Sequence, residues 1–225
     1  MRKLVILGLF ITTISYQNKF ESEINREIQV INDIFLQIPE KITFYNYNTP
    51  IPPPPPLISS EYDTPLYEKL MNEYELELKK IDYDTSIVIL VFYDTLISGN
   101  TKIDHLEHYL NDTTYGDYSS ILNSLIRNEK EPFIVDLNSI TQTGKYRLKY
   151  YSEFPQGKQF FREEYNFNFG GFLLLSRIYF NETYDMALLY CEYACGIDCS
   201  TGNIILLEKV DTKWTIQEVR MIWIS

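Results

Sequence analysis

Met186-Ala-Leu-Leu-Tyr-Cys-Glu-Tyr193, Asn203-Ile-Ile-Leu-Leu-Glu-Lys209 and Trp214-Thr-Ile-Gln-Glu-Val-Arg-Met-Ile-Trp-Ile224 decide the fold. Each run is of strand length and rich in aliphatic, β-branched and aromatic side chains. Turn chemistry separates them: Cys195-Gly196 with Thr201-Gly202 in the first gap, Asp211-Thr212-Lys213 in the second. Upstream, Tyr146 to Phe154 and Phe172 to Phe180 have the same character, with Pro155-Gln156-Gly157 after the first and Asn181-Glu182-Thr183 after the second. Short connections leave no room for helical crossovers, so the C-terminal half reads as an antiparallel β-meander.

Toward the N-terminus the periodicity changes. Ser86-Ile-Val-Ile-Leu-Val-Phe-Tyr93 is an unbroken apolar run, the pattern of a strand buried on both faces and central in its sheet. Glu21 to Ile38 has helical spacing, with Ile24, Ile28, Ile31, Phe35 and Ile38 on one face and Pro39 as the stop. A second helix starts at Asp63 or Thr64 with Pro65 in its first turn. It carries Leu66, Leu70, Tyr74 and Leu78 in steps of four and ends at Lys79 and Lys80. Lys102 to Leu110 and Tyr118 to Asn128 are also helical in spacing, and Phe133-Ile134-Val135 suits a short strand. Helices early and strands late give an α+β fold, with the N-terminal helices packed on one sheet face. Residues 50–56, which hold Pro50 and Pro52 to Pro56, form a stiff, exposed polyproline loop.

The chain has 225 residues, 31 acidic against 20 basic side chains, and a net charge of −11. With 45% hydrophobic and 23% charged residues it is too apolar for a disordered chain. The acidity argues against nucleic acid, whose binding needs cationic groups on phosphate, and against anionic lipid surfaces. Arg2 and Lys3, the apolar run Leu4 to Ile11, and the polar stretch from Tyr16 have the layout of an export signal over residues 1–15. That run is too short to span a bilayer, no later window reaches transmembrane length, and residues 16–225 read as one domain. Cleavage before Tyr16 leaves 18 basic against 31 acidic side chains, a net −13.

The start MRKLVILGLFITTIS followed by YQNK resembles bacterial lipoprotein signals, which carry a Cys where this chain has Tyr16. Lipid is attached to that Cys, so the departure puts membrane anchoring in question and leaves export intact. The segment from Thr143-Gly144-Lys145-Tyr146 through Gly170-Gly171, Ser176-Arg177-Ile178-Tyr179-Phe180 and Cys195-Gly196 to Trp223-Ile224-Ser225 is similar to exported proteins of Bacteroidota. The resemblance implies a periplasmic or outer-envelope location and carries no activity. Asp94-Thr95-Leu96 and Asp112-Thr113-Thr114 resemble the acceptor motif for O-linked glycans in such proteins.

Cys191, Cys195 and Cys199 are spaced C-x3-C-x3-C, which matches neither zinc nor ferredoxin patterns. Export favours a disulfide, and Cys195 with Cys199 would staple a hairpin tip while Cys191 packs as a small hydrophobe. His105 and His108, at i and i+3, share a helix face and are weak metal candidates whose alternative is an exposed polar surface. Glu163-Glu164 reads as solvated surface, and Gly170-Gly171 as a strand bulge or kink. The aromatic stretch from Tyr146 to Phe169 suits packing before carbohydrate stacking. No complete catalytic constellation or cofactor motif is present. The sequence therefore points to an exported cell-envelope accessory or interaction protein without catalytic activity, meeting an unidentified protein or glycan partner. The alternatives are a secreted hydrolase built from dispersed carboxylates with His105 or His108, and an acidic immunity-type antagonist of a basic partner.

Overall fold

The computed structural model describes residues 21–42, 53, 64–82, 87–99, 113–127 and 130–225. The signal segment, all but Pro53 of the polyproline run, Asp112, and both His105 and His108 lie outside them. The fold is α+β: helices and one large mixed sheet. No helix among the described residues is long and apolar enough to cross a membrane.

Helix α1 covers residues 21–34 and α2 covers Gln37–Lys41. The chain turns at 35–36, earlier than the apolar spacing indicates. Pro39 sits in the first turns of α2, where a missing N–H costs little, so it belongs to the new helix and does not end the old one. Helix α3 is Thr64–Asp82, close to its expected span. Its Leu66, Leu70 and Leu76 are exposed. Helix α4, Ser119–Arg127, buries Ile121, Leu122 and Leu125.

The strands are β1 Val88–Phe92, β2 Thr95–Leu96, β3 Phe133–Ile134, β4 Tyr146–Tyr150, β5 Asn168–Leu175, β6 Tyr179–Phe180, β7 Met186–Gly196, β8 Cys199–Val210 and β9 Lys213–Ile224. The large sheet runs β4-β1-β5-β7-β8-β9, with β6 also beside β7, and β2 pairs with β3 apart from it. From β5 through β9 the pairings in the large sheet are antiparallel, and β7-β8-β9 form the expected meander. Strand β1 enters between β4 and β5 and is parallel to both. The connection over residues 151–167 is long enough for this, because it carries the chain back over the sheet before β5 begins.

Both faces of the sheet are covered, which explains why β1 and β7 are nearly all apolar. On one face Ile31, Ile34 and Phe35 of α1 and the following turn pack with Leu90, Leu189 and Ile205. On the other, Ile121, Leu122 and Leu125 of α4 pack with Val91, Leu188 and Leu206, and Phe160 joins them. Each such Leu or Ile contributes about 1.5–3 kcal/mol by leaving water.

Gly170 and Gly171 form a bulge, as their pairing suggested: Ile89 and Val91 of β1 are matched by Phe169 and Phe172 of β5. Gly171 has φ +110, and a Cβ there would lie 2.3 Å from the Tyr193 ring. Tyr193 lies over the bulge and its hydroxyl donates to the Gly170 carbonyl at 3.0 Å. The glycines supply curvature and the tyrosine supplies the packing they lack.

Side chains occupy the outer edges of the sheet. On β9, Trp214 N–H donates to Asp33 at 3.1 Å and Ile216 N–H to Gln37 Oε1 at 2.9 Å, while Gln37 Nε2 donates to the Trp214 carbonyl at 3.1 Å. Gln37 thus imitates a neighbouring strand. On β4, Leu148 N–H donates to Gln142 at 2.7 Å and Tyr150 N–H to Glu153 at 3.0 Å. These contacts engage backbone groups that an edge strand otherwise offers to another chain.

A buried ionic cluster fixes α1 to the sheet. Glu27 is 0% exposed and Arg177 1%. Arg177 lies in the break between β5 and β6, where its N–H donates to the Ile97 carbonyl at 2.7 Å. There Ser176 Oγ takes over the ladder bond from Tyr190 N–H at 2.9 Å.

Candidate functional site

The hairpin β7–β8, strand β9 and the end of α2 enclose an open groove of about 550 Å³. Cys195 and Cys199 are joined by a disulfide with Cα atoms 5.3 Å apart, and both line the groove. Cys191 is free and wholly buried, and desolvation pushes its thiol pKa up, so it packs as an inert hydrophobe.

Asn203 and Thr201 follow on the same face of β8 because side chains alternate along a strand. Asn203 is 3% exposed. Its Nδ2 donates to Thr201 Oγ1 at 3.1 Å and to the Cys191 carbonyl at 3.5 Å. Its Oδ1 accepts no hydrogen bond among the described residues. The oxygen is not among the sealed, unpartnered side-chain atoms of the described residues, so it keeps a path to solvent, and Asn203 lines the groove. Lys41 and Ile42 form one wall, Val219, Met221 and Ile224 another. Met221 is 58% and Ile224 67% exposed, so the rim is apolar and accessible. Asp198 balances Lys41 in charge.

A second cavity of about 410 Å³ lies on the opposite sheet face between Tyr93, Tyr151, Phe160, Phe161 and Phe172. Its aromatics are tied to one another edge-on: Tyr151 to Phe160 at 5.1 Å and Phe160 to Phe161 at 4.8 Å. The aromatic stretch seen in the sequence therefore packs largely against itself, and the polar groups among the described lining residues are the Tyr93 and Tyr151 hydroxyls, the latter taken by Gly157 N–H.

The carboxylates with shifted pKa values are held below the usual range. Thr183 and Asn181 hydrogen bonds lower Asp185 in its turn, and the hydrogen bond from Arg220 lowers Glu218 on β9. Both favour the ionised form, whereas a general acid needs its carboxyl raised. Glu163 and Glu164 are exposed, as expected. The Asp94 carboxylate of the Asp94-Thr95-Leu96 motif accepts from Ser152 N–H at 3.0 Å and from its hydroxyl. Among the described residues no group of three His, Cys, Asp or Glu could hold a metal.

Of the candidate site residues that the structure describes, Cys195 and Cys199 line the groove. Asn203, Thr201, Met221 and Ile224 gave no signal, since neutral side chains in strands read as sheet. Comparison with protein-family models, curated proteins and solved structures returns no match.

Proposed function

We propose that this is an exported, non-catalytic interaction module of the cell envelope, and that the groove at the end of the meander is its binding surface. The observation that carries this is the groove itself, where Asn203, whose amide oxygen takes no protein donor among the described residues, and Thr201 lie beside an accessible apolar rim. The groove falls in the size range of small-molecule sites and combines apolar walls with a few converging polar groups. Export is supported by the basic-then-apolar start and by the disulfide, which persists in oxidising compartments.

The test is sedimentation of the purified mature domain with envelope fractions from the source cells. Wild-type protein and an Ile134→Glu control should co-sediment, because Ile134 is 77% exposed and lies on the separate two-stranded sheet. Asn203→Ala and Met221→Glu should stay in the supernatant. Equal sedimentation of all four proteins contradicts the groove as the binding surface.

A further inference from the structure

We infer that the groove takes an uncharged, hydroxyl-rich ligand, namely a short neutral oligosaccharide; this rests on the groove being the binding surface. The polar groups at its floor are complementary to hydroxyls. Asn203 Oδ1 takes no protein donor among the described residues, and Thr201 Oγ1 accepts from Asn203 and donates to no group among them. A sugar hydroxyl both donates and accepts, so adjacent hydroxyls satisfy Asn203 and Thr201 together. The Val219, Met221 and Ile224 wall is suited to the C–H faces of sugar rings, which are the apolar part of such a ligand.

Charge selects against the alternatives. One lysine and one aspartate line the groove, while the chain as a whole carries −11. A polyanion meets repulsion at long range and a single cation at the site; a polycation meets a single carboxylate there. An extended peptide binds a sheet mainly by adding to a strand edge. The groove instead opens on the face of β8 and β9, where Thr201, Asn203, Val219 and Met221 alternate toward it. A purely apolar ligand would cover Asn203 Oδ1 and cut it off from water without supplying a donor.

The experiment is calorimetry on the mature domain with neutral hexasaccharides (cellohexaose, maltohexaose, mannohexaose and chitohexaose) and an anionic hexagalacturonate. At least one neutral probe should bind, with an affinity that stays within about twofold from 50 to 500 mM NaCl, because no charge pairing drives it. Asn203→Ala and Thr201→Ala should each weaken it about tenfold, the scale of one hydrogen bond to a buried group. Both variants should retain a cooperative thermal transition, and Ile134→Glu should bind like wild type. Binding of hexagalacturonate alone, or no hexasaccharide binding while Asn203-dependent sedimentation persists, overturns the ligand class and leaves the groove standing. Sugar binding that neither folded variant weakens overturns the groove itself.

Discussion

Glu27 of α1 and Arg177 of the β5–β6 break form a two-point ion pair inside the protein. Arg177 Nε donates to Glu27 Oε2 at 2.9 Å and Nη2 to Oε1 at 2.8 Å. Further partners surround both groups. Ile178 N–H and Lys130 Nζ also donate to the carboxylate, at 3.1 and 3.0 Å, and Arg177 Nη1 donates to the Glu131 carbonyl. Lys130 further pairs with Glu23 at 2.6 Å, and the Arg177 guanidinium lies 5.0 Å from the centre of the Phe133 ring. The pair therefore ties α1, β3 and the sheet at one point.

Breaking it on one side strands a buried charge. Glu27→Ala should cost about 3–5 kcal/mol in urea unfolding. The double variant Glu27→Leu/Arg177→Met should recover most of that loss, since a packed apolar pair avoids the desolvation cost. A cost below 1 kcal/mol for Glu27→Ala would show that the pair does not anchor the helix.

The glycines under aromatic rings predict a specific repair. A Cβ at Gly202 would lie 1.9 Å from Nε1 of Trp223, which itself donates to the Tyr190 hydroxyl at 3.1 Å. Gly202→Ala should destabilise by about 1–3 kcal/mol, as overpacking does. Adding Trp223→Ala should make the glycine substitution nearly neutral, a coupling read from a double-mutant cycle. Equal effects in both backgrounds would refute the contact.

Thiol counting tests the hairpin staple. Folded, unreduced protein should show no reactive thiol; denaturant should reveal one, Cys191, and reductant in denaturant all three. The chain-entropy model gives a loop this short about 2 kcal/mol of stabilisation, so Cys195→Ser/Cys199→Ser should lower stability by that order. Three reactive thiols in unreduced, denatured protein from the source cells would refute the bridge.

The pH dependence follows from groups whose pKa values are shifted. Asp185 and Glu218 are lowered, so their contribution is present above the unfolded carboxylate pKa and is lost as pH falls through the folded values. Stability should fall on acidification below about pH 4, less steeply in Asp185→Asn. At the alkaline end desolvation raises Tyr179 to about 12 and also raises Tyr190. The unfolded state ionises first, so stability should decline above about pH 10, with late phenolate absorbance at unfolding. Titration of every tyrosine near pH 10 in folded protein would contradict this burial.

The β7-β8-β9 part of the meander was legible because its signals are local, apolar runs of strand length with turn residues between them, whereas β4, expected in the same meander, pairs in parallel with β1 instead. Also legible were the Gly170-Gly171 bulge and the pairing of Cys195 with Cys199. The parallel placement of β1 between β4 and β5 was not, because its partners at Tyr146 and Asn168 are remote in sequence and parallel pairing leaves no turn signature. Nor was Glu27: an acid beside an apolar stripe reads as surface until Arg177 is brought to it by the β5–β6 break. Helix α1 is consequently rotated so that Glu27, Val30, Ile31 and Ile34 face inward, while Ile24 and Ile28 are only partly covered. The groove draws on α2, β7, β8 and β9, and no single window of sequence contains it.

Export itself has a direct readout. Mass spectrometry of the protein from its source cells should place the mature N-terminus near Tyr16, without Arg2 and Lys3. An intact Met1 would contradict the export reading and, with it, the oxidising setting of the disulfide.

The measurement closest to the central claim is hydrogen exchange of the mature domain with and without the envelope material it sediments with. Binding in the groove predicts added protection over residues 199–203 and 219–224, and unchanged exchange over α4 and the aromatic cavity. Protection confined to α4 or the aromatic cavity, or no change over 199–203 and 219–224 at saturating envelope material, would contradict the groove as the functional surface.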